Sequence, residues 1–132
     1  MWSLLIVRDM VYFGKTTYSE FLDSDEGIAT NILASRLAQL EQSGILVRQS
    51  HPHDRRKEIY SLTEKGLDLI PILLEMANWG AHHDPQTGAP AEWIALVNVN
   101  KEAMIRLIRD TVLSGGSIFV GSDSVVNKLA EK

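Results

Sequence analysis

Between Ser50 and Gly66 the chain reads SHPHDRRKEIYSLTEKG, which gathers His51, His53, Arg55, Arg56 and Lys57 around a single proline. Guanidinium and ammonium groups at a turn suit a polyanion, because each phosphate they neutralise releases condensed counterions. Arg can also enter a narrow minor groove, where the potential is most negative. Asp54, beside Arg55 and Arg56, is placed to hold a guanidinium as a bidentate pair. Arg48 and Lys57 flank the turn and suit further phosphate contacts. Upstream, Thr30, Asn31, Ser35 and Gln39 recur at helical spacing. The amides of Asn and Gln each carry a donor and an acceptor, the pair needed to read an adenine edge, while Ser and Thr bond permissively. Arg36 borders that face, where it can reach a phosphate or pair with a carboxylate inside the domain.

Other chemistries find less support. His82, His83 and Asp84 are metal-ligating types, but they are adjacent, sit in a stretch of linker composition and have no partner at i, i+4, so no metal site is expected. The chain has no Gly-rich phosphate loop, no cysteine nucleophile and no HExxH. Ser114, Ser117, Ser122 and Ser124 have no evident histidine partner. No catalytic residue and no cofactor are expected, and the chain does not read as an enzyme.

Those residues need elements to position them. The 132-residue chain is 45% hydrophobic with a formal net charge of -4, enough for one compact unit or a unit plus a docking extension. Against the acidic balance, the window Ile28 to Lys57 holds Arg36, Arg48, Arg55, Arg56 and Lys57 and only Glu41 and Asp54, a local charge of +3. The absence of cysteine removes disulfides and thiol sensing and fits a reducing compartment. Apolar runs fall far short of the ~20 residues of a membrane span, so a cytoplasmic location without a membrane partner is expected.

Trp2 to Phe13 is apolar on nearly every side and predicts a helix buried by neighbours. Thr17 and Glu20 have capping-box spacing ahead of a short helix through Phe21 and Leu22. Ile28, Ile32, Leu33, Leu37 and Leu40 form the apolar stripe of an amphipathic helix, with Thr30 as its expected N-cap and Gly44 as its stop. ILVRQ and KEIYSL predict the two strands of a hairpin around the cationic turn. Thr63 then caps a helix running toward Trp79, kinked or restarted at Pro71. Gly80 to Pro90 has linker composition. Beyond it, Asn100 to Leu113 predicts a helix, SIFVG a short strand, and Asp123 to Lys132 a last helix.

Helix, short helix, amphipathic helix, hairpin, helix is the order of a winged helix-turn-helix: mainly α with a small β-hairpin, followed by C-terminal helices. WSLLIVRDM, TYSEFL, GIATNILASRLAQLEQSGIL, YSLTEKG and IPILLEMANWG resemble, in order and spacing, the HxlR-type regulators, winged-helix transcription factors of bacteria within the MarR-like superfamily. That resemblance covers Trp2 to about Trp79. It implies a homodimer on a pseudo-palindromic site in double-stranded DNA, usually a repressor, with dimer contacts from the terminal helices. The base-reading residues are then Thr30, Asn31, Ser35 and Gln39, and the backbone or wing contacts Arg36, Arg48, Arg55, Arg56 and Lys57. Residues 1–80 are expected to form the DNA-binding domain, and 81–132 a linker and helical extension serving dimerisation or a small-molecule effector. The thiol mechanism of some relatives does not carry over, for want of a cysteine. Trp2, Trp79 and Trp93 are expected in the core or a dimer interface. The acidic balance and the unmatched tail motivate an alternative, a winged-helix module that binds protein instead of DNA; a metal-dependent hydrolase built on His82, His83 and Asp84 is a third reading.

Overall fold

The computed structural model describes residues 2–23, 27–54, 56–84 and 90–130, and the side chain of Trp2 lies outside that set. Helix α1 (Trp2–Phe13) is the centre of the molecule. Its Ile6 and Met10 enter one apolar cluster, with Phe21, Ile28, Leu33, Leu37, Leu40, Leu46 and Tyr60. Its Val7, Val11 and Tyr12 enter another, with Leu67, Ile70, Leu73, Leu74, Trp93, Ile108, Ile118 and Val125. An α-helix buried on both sides needs apolar residues around most of its circumference, which is the pattern of WSLLIVRDMVYF.

Around α1 run α2 (Tyr18–Leu22), α3 (Thr30–Gln42), strands β1 (Leu46–Ser50) and β2 (Glu58–Leu62), α4 (Glu64–Leu67) and α5 (Ile70–His83). The strands pair antiparallel, from Leu46 opposite Leu62 to Ser50 opposite Glu58. One further backbone bond, from Tyr60 N to Thr16 O at 2.8 Å, ties the hairpin to the segment entering α2. Gly44, at φ +76°, turns the chain out of α3 into β1. This is a winged helix-turn-helix.

Several expectations are corrected in detail. The N-cap of α3 is Ala29, with no side-chain bond, and Thr30 is already helical. The helix begun at Thr63 restarts at Pro71, one of the two expected outcomes: α4 closes after one turn and α5 carries Pro71 in its first turn, where a missing N–H costs nothing. Gly80 to His83, assigned to a linker by composition, complete α5. Residues 85–89 of that stretch lie outside the described residues, as do 24–26 of the DSDEG turn.

Beyond Pro90 the chain forms α6 (Ala91–Val99), α7 (Lys101–Leu113) and α8 (Val125–Ala130). Helix α6 was not anticipated; α7 matches, with Asn100 accepting from Ala103 N as its cap. SIFVG makes no strand. Ile118 N and Phe119 N instead donate to Val11 O and Tyr12 O at 2.9 and 3.0 Å, satisfying carbonyls at the end of α1 that no intrahelical donor reaches. Trp93 and Ile118 are buried there, and Phe119 stacks on Tyr12 at 5.7 Å between ring centroids. The C-terminal helices therefore share a core with α1 and α5.

Candidate nucleic-acid interface

Helix α3 divides cleanly. Leu33, Leu37 and Leu40 are buried, while Asn31, Ser35, Gln39 and Gln42 are exposed on a face without a carboxylate. Asn31 and Ser35 make no side-chain hydrogen bond among the described residues, so their polar groups are free for a ligand. The start of α3 is fixed from outside: Tyr18 Oη donates to Thr30 O at 2.9 Å, linking α2 to the first turn of α3. Thr30 itself is exposed.

The capping box fixes α2 in turn. Glu20 Oε1 accepts from Thr16 N at 3.1 Å, Thr17 N at 3.1 Å and Thr17 Oγ1 at 3.0 Å, while Glu20 N donates to Thr17 Oγ1 at 3.3 Å. Partial burial would raise the Glu20 carboxyl, but these donors together outweigh it and hold its pKa below the usual value.

The hairpin tip is organised by its own acid. Asp54 Oδ1 accepts from Arg56 N at 3.1 Å and Arg56 Nε at 3.4 Å, so one oxygen holds the guanidinium, not the expected bidentate pair. The Arg56 side chain is 92% exposed. Lys57 N donates to Asp54 O and His51 N to Lys57 O, closing the turn, and the Lys57 side chain is exposed. His51 Nδ1 accepts from His53 N at 3.1 Å. Arg55 lies outside the described residues.

Arg48 behaves differently from Arg56. It pairs with Glu41 of α3 at 3.6 Å and Glu58 of β2 at 3.2 Å, and these carboxylates, Glu41 foremost, raise its pKa. Its charge is matched within the protein, and it braces the hairpin against α3. Arg36 pairs with no carboxylate among the described residues: its Nη1 donates to Gln39 Oε1 at 3.0 Å. That pair was missed, although i, i+3 spacing on a helix is the signal for it.

His82 and His83 end α5, where His82 Nδ1 lies 3.0 Å from Asn78 O and the His83 ring packs on Trp79 at 5.0 Å. Among the described residues no group of three or more His, Asp or Glu could hold a metal ion. No described helix is long and apolar enough to cross a membrane.

A model of the HxlR-like helix-turn-helix family matches residues 1–87, well over half of the chain. The chain belongs to the HxlR-like helix-turn-helix family. The HTH-type transcriptional regulator YodB of Bacillus subtilis (strain 168) is 37% identical over 78 residues, 59% of this HxlR-like chain and 69% of YodB. An uncharacterized HTH-type transcriptional regulator of Synechocystis sp. is 35% identical over 80 residues, 61% of this chain and 58% of that protein. The chain thus spans little more than half the length of that relative. Among solved structures, PA1607 superposes with a TM-score of 0.61 at 37% identity, covering 68% of this chain and 63% of PA1607. The reduced form of YodB gives 0.52 at 32% identity, covering 65% of this chain and 83% of that one. Helices α6 to α8 lie beyond the HxlR match.

Proposed function

We propose that this HxlR-like chain is a cytoplasmic, sequence-specific DNA-binding regulator that acts as a homodimer on a pseudo-palindromic operator and represses transcription there. The observation that carries the reading is a pairing of surfaces on one core. The outer face of α3 is polar, unpaired at Asn31 and Ser35 and free of carboxylates, and the neighbouring hairpin tip presents Arg56 and Lys57. In a chain of net charge -4, such a concentration of cations and amides suits the major groove and its flanking phosphates.

In this reading α3 enters the major groove, where Asn31, Ser35 and Gln39 meet base edges and Thr30 meets the groove wall. The wing tip, with Arg55, Arg56 and Lys57, lies on the flanking backbone or minor groove. Arg48 keeps the wing at a fixed angle to α3. A second copy supplies the second half-site. Ile72, Met76 and Trp79 support that assembly: they follow one another at helical spacing on the side of α5 opposite Leu73 and Leu74, and are 49%, 50% and 66% exposed. Because α1 belongs to both apolar clusters, a small-molecule effector that shifted α6 to α8 would move α1 against α3 and so alter DNA affinity.

Fluorescence anisotropy on a labelled duplex, titrated with salt, tests the reading. Affinity should fall steeply with salt, and Arg56→Ala combined with Lys57→Ala should weaken binding on every sequence and reduce the log–log salt slope by about 2. An unchanged slope would refute the wing assignment.

A further inference from the structure

The amide of Gln39 carries a donor and an acceptor, which on composition alone suits adenine. The structure changes that reading, because the Gln39 oxygen already accepts Arg36 Nη1 at 3.0 Å. A guanidinium has donors only, so the atom facing it must be the oxygen and the amide has one orientation. Its NH2 group is then the wholly unengaged part of Gln39, beside the remaining N–H groups of Arg36. Arg36 is partly buried one turn back along α3 and Gln39 is exposed, so the two side chains form a braced unit. Apart from one lone pair of the Gln39 oxygen, which lies beside the guanidinium, its unengaged hydrogen-bonding groups are all donors.

We infer that the Arg36–Gln39 unit is a specificity element for guanine. The inference rests on the DNA-binding reading above and names the base that one part of it recognises. In the major groove adenine presents an acceptor, N7, beside a donor, N6–H, and bonding both would bring N6–H to an oxygen already shared with Arg36, with one donor facing the other donors of the guanidinium. Guanine presents two adjacent acceptors, N7 and O6, which match a donor-rich surface. Thymine offers one acceptor beside a methyl group, and cytosine offers a donor. Asn31 is the internal contrast: its amide is unengaged, so donor and acceptor are both available and adenine remains its match.

The test uses the full chain and a pool of duplexes randomised over the binding region, selected at ~150 mM salt, where non-specific phosphate binding is suppressed. Wild type, Arg36→Ala, Gln39→Ala and Asn31→Ala are compared, with thermal melts to establish that each is folded. The wild-type site should contain a guanine at the step that Gln39→Ala makes indifferent. Replacing that guanine by 7-deazaguanine should weaken binding roughly tenfold. Arg36→Ala frees the Gln39 oxygen and should turn the preference at this step toward adenine, while Asn31→Ala leaves the step unchanged. An adenine at this step in the wild-type site, or a Gln39→Ala protein with every positional preference intact, would overturn the inference alone. A wild-type pool that yields no motif would overturn the DNA-binding reading, and the inference with it.

Discussion

Gly66→Ala tests the junction that holds the wing. Gly66 lies in α4 where the helix passes the base of the hairpin, and a Cβ added there would meet Ile45 O at 2.5 Å, Leu62 Cδ2 at 2.9 Å and Ile45 Cγ2 at 3.3 Å. The Leu62 methyl can turn away. The carbonyl is less free, because it accepts Thr63 N at 3.0 Å and Thr63 Oγ1 at 3.2 Å. Alanine in a helix gains about 1 kcal/mol over glycine. Against that stand an overpacking cost of about 1–3 kcal/mol and the weakening of one or two hydrogen bonds worth about 0.5–1.5 kcal/mol each. The balance is a net loss of about 1–3 kcal/mol. At roughly 3–5 °C per kcal/mol for a chain of this size, Tm should fall by roughly 3–15 °C in differential scanning calorimetry. A Tm equal to or above that of the wild type would refute the reasoning, since propensity alone would then have decided the outcome.

Other perturbations separate the remaining parts. Ile118→Ala, at a fully buried position, should cost about 2–5 kcal/mol in denaturant unfolding if the C-terminal segment belongs to the same cooperative core; a loss under about 1 kcal/mol would show a loosely docked tail. Tyr18→Phe removes the hydroxyl that holds Thr30 O, so stability should fall by about 1 kcal/mol or less while DNA affinity drops severalfold, and equal affinity would show that α3 is oriented without it. The Glu20 carboxyl has its pKa lowered in the folded protein, so its stabilising contribution is complete above the unfolded-chain value of ~4.3 and is lost as pH falls through the folded value. Glu20→Gln should therefore lose less stability than the wild type between neutral pH and pH ~3, and parallel acid profiles would contradict that assignment.

The sequence was most informative where a local rule coincided with tertiary need. Thr17 with Glu20, Thr63 before α4 and Gly44 after α3 are punctuation whose chemistry is complete within a few residues, and each occupies its expected place. The outer face of α3 followed from the burial of Leu33, Leu37 and Leu40. Thr30 misled because a threonine at a helix start resembles a cap, whereas the backbone turns helical one residue earlier and Tyr18 binds the first-turn carbonyl instead. Helix α6 was hidden because AEWIALVNV is apolar around most of its circumference and lacks a side-chain cap. SIFVG has strand composition, but its backbone donors are taken by the end of α1, a partner more than a hundred residues earlier in the chain. The pairing of Arg48 with Glu41 and Glu58 likewise depends on the hairpin folding back beside α3. Local spacing carries no signal for it.

The most direct measurement is selection of bound fragments from the source genome by the purified full chain at ~150 mM salt. A homodimeric regulator should enrich one pseudo-palindromic site whose half-sites lie about one helical turn apart, each contacted by one copy of α3 and its wing. Recovery of fragments without a shared site, with no preference over random duplex, would contradict it and leave a winged fold whose polar α3 face and cationic tip meet a partner other than DNA.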